Sequence, residues 1–180
     1  MNSPDAPAEF FLSPVLVSQG YALRPESEDD LPFLFALYAS TREEELQAVG
    51  WTDEQKHSFL RMQFAAQRQH YRTHLAGCHW LILEANGEPA GRLYLDVRPS
   101  RFHVVDISLL PSWRRKGVGT AILEALKQAA GASGRGVGIM VEKFNPALNL
   151  YRRLGFVEVA DRGVYLEMEW PTERGQLNSA

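Results

Sequence analysis

The stretch Arg114-Arg115-Lys116-Gly117-Val118-Gly119-Thr120 decides the reading of this chain. It follows a strand-like run, Val104 to Leu110, and opens a helix-like run, Val118 to Ala130. Three cations stand where that helix begins, although the partial positive charge of a helix N-terminus favours Asp and Glu. The first turn holds no acid; Glu124 is the earliest. Cations set against the dipole make sense if an anion neutralises them. Gly117 and Gly119 strengthen this, because they leave out side chains where a phosphate would approach free backbone N–H groups. The segment reads as a pyrophosphate cradle. The basic residues alone fit a solvated turn as well, and a short glycine motif is weak by itself.

Upstream of the cradle, residues 1–19 read as a loosely held arm, with Phe10, Phe11, Leu12, Val15 and Leu16 available to dock on a core. Tyr21 to Arg24 reads as a first strand ended by Pro25, and Ser27-Glu28-Asp29-Asp30 caps a helix carrying Leu31, Leu34, Phe35 and Tyr38. A second helix is expected over residues 53–75, with Phe59, Met62 and Ala66 on one stripe and Phe64, Tyr71 and Leu75 near it. His79 to Ala85 and Ala90 to Val97 read as strands joined by an Asn86-Gly87 hairpin turn. Downstream, Val118, Ala121, Ile122, Ala125, Leu126 and Ala129 keep a helical period. Gly131 to Gly136 reads as a flexible turn, and Val137 to Val141 as a strand buried on both faces. Pro146 opens a helix that ends at Gly155, and Phe156 to Ala160 and Val164 to Trp170 are the last two strands. The order is strand, two helices, three strands, helix, strand, helix, two strands. That is a mixed α/β sandwich covering residues 20–170, with a polar tail at 171–180.

Composition bounds the function. The chain has 180 residues, of which 45% are hydrophobic and 23% charged, as in a globular protein of one domain. A net charge of −3 gives no sign of broad nucleic-acid binding. The single cysteine, Cys78, excludes an intrachain disulfide and a zinc finger and fits a reducing cytoplasm. The first residues lack a basic n-region and are interrupted by Pro4, Pro7 and Pro14, unlike a secretory leader. No apolar run is long enough to span a membrane.

A second pattern lies some thirty residues beyond the cradle, in Asn145-Pro146-Ala147-Leu148-Asn149-Leu150-Tyr151-Arg152-Arg153-Leu154-Gly155-Phe156. Alone it is a capped helix with a partly buried tyrosine. The two patterns at this spacing resemble the GNAT superfamily of acyl-CoA-dependent N-acetyltransferases. Arg114, Gly117 and Gly119 match its Arg/Gln-x-x-Gly-x-Gly/Ala motif after the fourth strand. Asn145, Pro146, Tyr151, Gly155 and Phe156 match its pattern after the fifth. The resemblance implies a mixed central sheet of about seven strands, splayed between strands 4 and 5, with helices on both faces. It implies acetyl-CoA as co-substrate and no metal. The backbone of Leu109 and Leu110 would pair with the pantetheine arm. Backbone N–H groups from Arg115 through Lys116, Gly117, Val118 and Gly119 to Thr120 would hold the pyrophosphate, and Asn145 would line the groove. Tyr151 resembles the family's general acid, which protonates the departing CoA sulfur.

The chemistry accounts for these parts. A neutral amine attacks the thioester carbonyl, and alignment supplies much of the rate gain. A backbone N–H on the splayed strand stabilises the oxyanion. A free thiol has a pKa of roughly 8.5 and a tyrosine one near ~10, so a tyrosine can protonate the leaving thiolate at neutral pH. Asp106 is the first candidate for general base, directly or through water; the alternative is that it bonds a neighbour or orients water. Glu84 and His103 rank below it. His70 and His74 lack a third ligand and the Glu of a zinc protease motif. Cys78 reads as a core thiol, and Trp51, Trp80 and Trp113 as packing residues. No nucleophile elbow or Walker A motif occurs. The expected activity is acetyl transfer from acetyl-CoA to a primary amine. The alternatives are a non-catalytic acyl-CoA-binding module and transfer of a longer acyl group. The acceptor stays open; Arg61, Arg68 and Arg72 would suit an acidic one or form a solvated face. The resemblance also admits a homodimer.

Overall fold

Asn86 and Gly87 take φ values of 54° and 81°. Two successive positive φ angles make the tight turn whose twist suits a hairpin. That turn joins β2 (Cys78–Ala85) to β3 (Glu88–Val97). The computed structural model describes residues 12–171. The remaining elements are α1 (Pro14–Ser18), β1 (Tyr21–Pro25), α2 (Leu31–Gln47), α3 (Asp53–His74), β4 (Arg101–Leu109), α4 (Val118–Ala132), β5 (Gly136–Glu142), α5 (Leu148–Arg153), β6 (Val157–Arg162) and β7 (Tyr165–Trp170). The strands form one mixed seven-stranded sheet in the order β1-β2-β3-β4-β5-β7-β6.

Successive strand residues point to opposite faces, and the two cores obey this. Leu81 and Leu83 enter a large core under α1, α4 and α5, together with Leu93, Val104, Ile122, Leu126, Val137, Leu154 and Met168. Ile82, between them, packs on the opposite face with Leu34 and Tyr38 of α2 and Phe64 of α3. Helices therefore cover both faces, with α2 and α3 on one and α1, α4 and α5 on the other. Among the described residues only β4 and β5 are parallel neighbours, paired from Arg101↔Gly136 to Val104↔Ile139. Beyond those residues β4 runs on to Leu109 and β5 to Glu142 with no pairing between them. This is the expected splay.

Several expectations need correction. The stripe of Phe59, Met62 and Ala66 is not the inner face of α3: Met62 and Ala66 are exposed, and Phe64 is the buried residue. An amphipathic period in a helix of low hydrophobicity leaves its phase undecided until a partner surface selects it. Strand β5 is not buried throughout, since Met140 is 38% exposed beside the splay. Strand β4 starts three residues before Val104, and Leu110 lies past its end. Helix α4 takes in Gly131, so the following turn is shorter than expected. The final helix starts at Leu148, two residues after Pro146. Within the arm, Pro14–Ser18 is a helical turn capped by Ser13. Leu12 and Leu16 are buried in the core, while Val15 is exposed; Phe10 and Phe11 lie outside the described residues. No described helix is long and apolar enough to cross a membrane.

Candidate active site

The splay sets the site. Antiparallel pairing alternates the edge to which successive residues turn their N–H and C=O groups. Leu110 N–H donates to Ala90 O, on the β3 side, and Leu110 O accepts from Trp113 N. Its backbone is thus committed elsewhere; by the alternation Leu109 turns toward the splay, with its carbonyl oxygen held by Arg114 Nε. A Cβ on Gly91 would run into Ser108 O and Leu109 Cδ2, so glycine permits β3 to lie this close to the end of β4.

At the end of β4 stands the N-terminus of α4. Its cap, Gly117, has φ of 81°, offers no side-chain acceptor, and no acid stands in the first turn. The first N–H groups of α4 are therefore without side-chain caps. Arg115 also takes a positive φ, 60°, so two residues of the loop, Arg115 and Gly117, are left-handed. The cations divide the work. Arg114 donates from Nε to Leu109 O (2.8 Å) and from Nη2 to Ser40 Oγ (2.9 Å), tying the loop to α2. Lys116 lies over the Trp113 ring at 4.5 Å. Arg115, exposed, has no described contact with an acid. Gly119 is open: a Cβ there would meet Leu109 Cδ1 at 4.0 Å, an ordinary contact. Asn145 accepts from Ala147 N at 2.9 Å, an Asx turn that starts α5 while leaving its amide NH2 for other partners.

Tyr151 sits on α5, 5% exposed, edge-on to Phe156 at 5.7 Å. Its hydroxyl makes no hydrogen bond to another described residue. Burial pushes that hydroxyl well above the ordinary tyrosine range, and the charge of Asp106 adds to the shift. It stays protonated at neutral pH, as a proton donor requires.

Asp106 lies just past the last β4–β5 pair, and it shares a face with its β3 partner Tyr94, the face that α3 covers. Both its oxygens are engaged: Oδ2 accepts from Arg92 Nη2 and Oδ1 from Ser108 Oγ, each at 2.6 Å. Arg92 also donates to Gln67 of α3 and lies over the Tyr94 ring at 4.8 Å. Tyr94 donates its hydroxyl to Glu26, whose side chain is 1% exposed and also accepts from Arg68 and Arg72, both at 2.7 Å. Arg61 and Arg72 are exposed, as a solvated face would be, but Arg68 and Arg72 are both paired with Glu26. They clamp α3 to the sheet.

Glu84 is held by Arg24 Nε at 2.6 Å, away from the splay on β2. His103 stands near the start of β4, and burial together with Arg98 and Arg101 lowers its pKa to about 4. Cys78 is buried and its thiol is pushed up to about 12 by desolvation, the state of a core thiol. His70 and His74 stack at 4.4 Å, with His74 Nδ1 against His70 O. Sequence reasoning passed over Arg92 and Glu26. One signal was present for Arg92: a lone cation inside the apolar run Ala90 to Leu95, where burial demands a partner.

Comparison with known proteins bears on the whole arrangement. The model of the acetyltransferase (GNAT) domain matches residues 76–158, from β2 into β6. An N-alpha-acetyltransferase of Sulfurisphaera tokodaii is 43% identical over 61 residues, which cover 32% of this chain and 36% of that protein. The match thus spans about a third of the relative's length. Among solved structures, the paiA N-acetyltransferase from Thermoplasma acidophilum in complex with coenzyme A superposes with a TM-score of 0.63 at 19% identity, covering 84% of this chain and 98% of that one. The ribosomal-protein-S18-alanine N-acetyltransferase from Escherichia coli gives 0.55 at 21% identity, over 84% and 93%. At such identities the likeness speaks for the fold. The match to the acetyltransferase (GNAT) domain thus falls on the centre of the chain, residues 76–158, and the splayed seven-stranded sheet has the fold of these solved N-acetyltransferases.

Proposed function

We propose that the protein transfers an acetyl group from acetyl-CoA to a primary amine by direct attack in a ternary complex. The observation that carries this is the parting of β4 and β5 after Val104 and Ile139, with an uncapped α4 N-terminus beyond the end of β4 and Tyr151 near enough to Asp106 for that charge to act on its hydroxyl. The residues fit the co-substrate. In this reading the Leu109 backbone meets the pantetheine arm. The N–H groups of residues 115–120 hold the pyrophosphate, with the charge of Arg115 and Lys116 near it. Arg114 braces the loop, and Asn145 borders the groove.

The nitrogen lone pair attacks the thioester carbonyl carbon, forming C–N and placing charge on the oxygen. Collapse breaks C–S. The nitrogen loses one proton and the sulfur gains one, so no net proton is consumed. Tyr151 donates to the sulfur, and the proton released by nitrogen, passed through water or Asp106, restores it. Asp106, already holding Arg92 and Ser108, suits orienting the nucleophile better than free exchange of protons. The acceptor is a small-molecule or protein amine, and the likeness to an N-alpha-acetyltransferase makes a peptide α-amine the first to try. A cytoplasmic setting suits the lone thiol Cys78.

Calorimetry with acetyl-CoA and CoA, coupled to CoA release across a panel of amines and short peptides, tests the reading. Binding with amine-dependent CoA release is the expected result. Binding with no release by any amine would favour a non-catalytic acyl-CoA-binding module, and no binding by folded protein would end the proposal.

A further inference from the structure

Arg92 is 3% exposed, and its Nε and Nη1 are buried without a hydrogen-bond partner. Only Nη2 is used, on Asp106 and Gln67. Stability does not explain this arrangement. A buried ion pair is often replaceable by apolar residues at no loss, and unsatisfied buried donors add cost. The pair stands instead where β4 leaves β5, facing the side covered by α3. Tyr151 reaches the same gap from the other side of the sheet, close enough to feel the Asp106 charge.

Resting on the acetyl-transfer reading, we propose that Arg92 is a positioning residue for the acceptor: it fixes Asp106 at the mouth of the splay and cancels that carboxylate's charge, so that the incoming nitrogen is met as a neutral amine. A lone carboxylate there would hold an ammonium ion, the form that cannot attack. A carboxylate already neutralised from behind still accepts a hydrogen bond from the amine and orients its lone pair, without the net field that keeps the extra proton on. The guanidinium is suited to this because it stays charged at every working pH. The groups around Asp106 support the arrangement. Ser108 holds the second oxygen from β4. Tyr94 lies against Arg92 from β3 and spends its hydroxyl on Glu26. Tyr71 of α3 also feels the Asp106 charge, along with those of Arg92, Arg42 and Tyr165, and with burial foremost it is raised well above the ordinary range. Tyr71 and Tyr151 are thus neutral neighbours. Arg92 supplies the compensating charge.

The test compares wild type, Arg92→Lys, Arg92→Met, Asp106→Asn and the double variant Arg92→Met/Asp106→Asn. Acetyl-CoA affinity by calorimetry serves as the control for folding. Arg92→Met should lower kcat/KM for the amine by at least about tenfold and move the acidic limb of the pH profile of kcat upward by about one unit, because loss of a nearby positive charge raises the pKa of the bound amine. Acetyl-CoA affinity should not move. Arg92→Lys, which keeps a charge and a donor, should recover part of the loss, and the double variant should be no worse than Asp106→Asn alone. If Arg92→Met does not fold, Arg92→Lys and the double variant carry the same comparison. An unmoved acidic limb, or losses that multiply in the double variant, would overturn the role of Arg92 while leaving acetyl transfer intact. A wild type that releases no CoA with any amine would remove both.

Discussion

Tyr151 combines three properties that a proton donor needs: a seat on a short helix fixed by Pro146 and Gly155, near-complete burial, and a hydroxyl not spent on another residue. Burial raises its pKa first and the Asp106 charge second, so its proton is retained well past neutrality. Tyr151→Phe removes that proton without opening a cavity. Turnover should fall by about 10², with acetyl-CoA affinity unchanged, as steady-state kinetics and calorimetry on the same preparation would read. Unchanged turnover would make Tyr151 a packing residue or place the slow step at CoA release. Asp106 and Arg114 carry a different lesson. Each stood out from its position as a candidate site residue, but neither hydrogen-bond partner did. Asp106 is bound to Arg92, fourteen positions away, and Arg114 to Ser40, seventy-four positions away. No local pattern encodes such a pairing.

At the scale of elements, α4 concentrates the argument. Its N-terminus has neither a side-chain cap nor an acid, which leaves its free N–H groups for a ligand. Gly117 and Gly119 answer to different constraints. Gly117 has a positive φ that disfavours any other residue, whereas Gly119 has room for a Cβ. Gly119→Ala should therefore fold and even gain up to about 1 kcal/mol of helix stability, while its methyl group hinders the approach of a phosphate. A thermal melt and an acetyl-CoA titration check both halves; full affinity in a stabilised variant would sink the cradle. The apolar period of α4 was readable because its stripe is wide and faces a continuous core. That of α3 was not, because it is long, strongly polar and anchored through Phe64 and the Arg68 and Arg72 contacts to Glu26 rather than through a broad stripe.

At the scale of the whole molecule, ionisable groups near the start of β4 link stability to pH. His103 is the group there that ties stability to pH. Burial, then Arg98 and Arg101, depress its pKa to about 4, and its Nδ1 is buried without a partner. An unfolded chain takes up that proton near the ordinary value of about 6.5. Its contribution is thus intact above that pH and is lost as pH falls toward 4. Replacing His103 with Phe should flatten the fall in Tm between about pH 6.5 and 4 relative to wild type, measured by thermal melts in matched buffers; an equal slope in both proteins would refute it. Carboxylates such as Asp30, lowered to about 2 mainly by Arg24, lose their contribution from about pH 5 downward and so add to the fall at the acidic end. The sequence by itself determined what local chemistry can encode: the order of strands and helices, the hairpin at Asn86-Gly87, the glycines at the head of α4, and Tyr151 on a capped helix. Backbone conformation and hydrophobic period are properties of neighbours along the chain, so they are written there. Only the tertiary structure decided where β4 and β5 part, that Leu110 turns its N–H to β3 while Leu109 faces the gap, and that Arg92 and Asp106 form a buried pair at its mouth. Those facts depend on strand register and on which distant charge compensates which, and burial energies settle them only once the chain has folded.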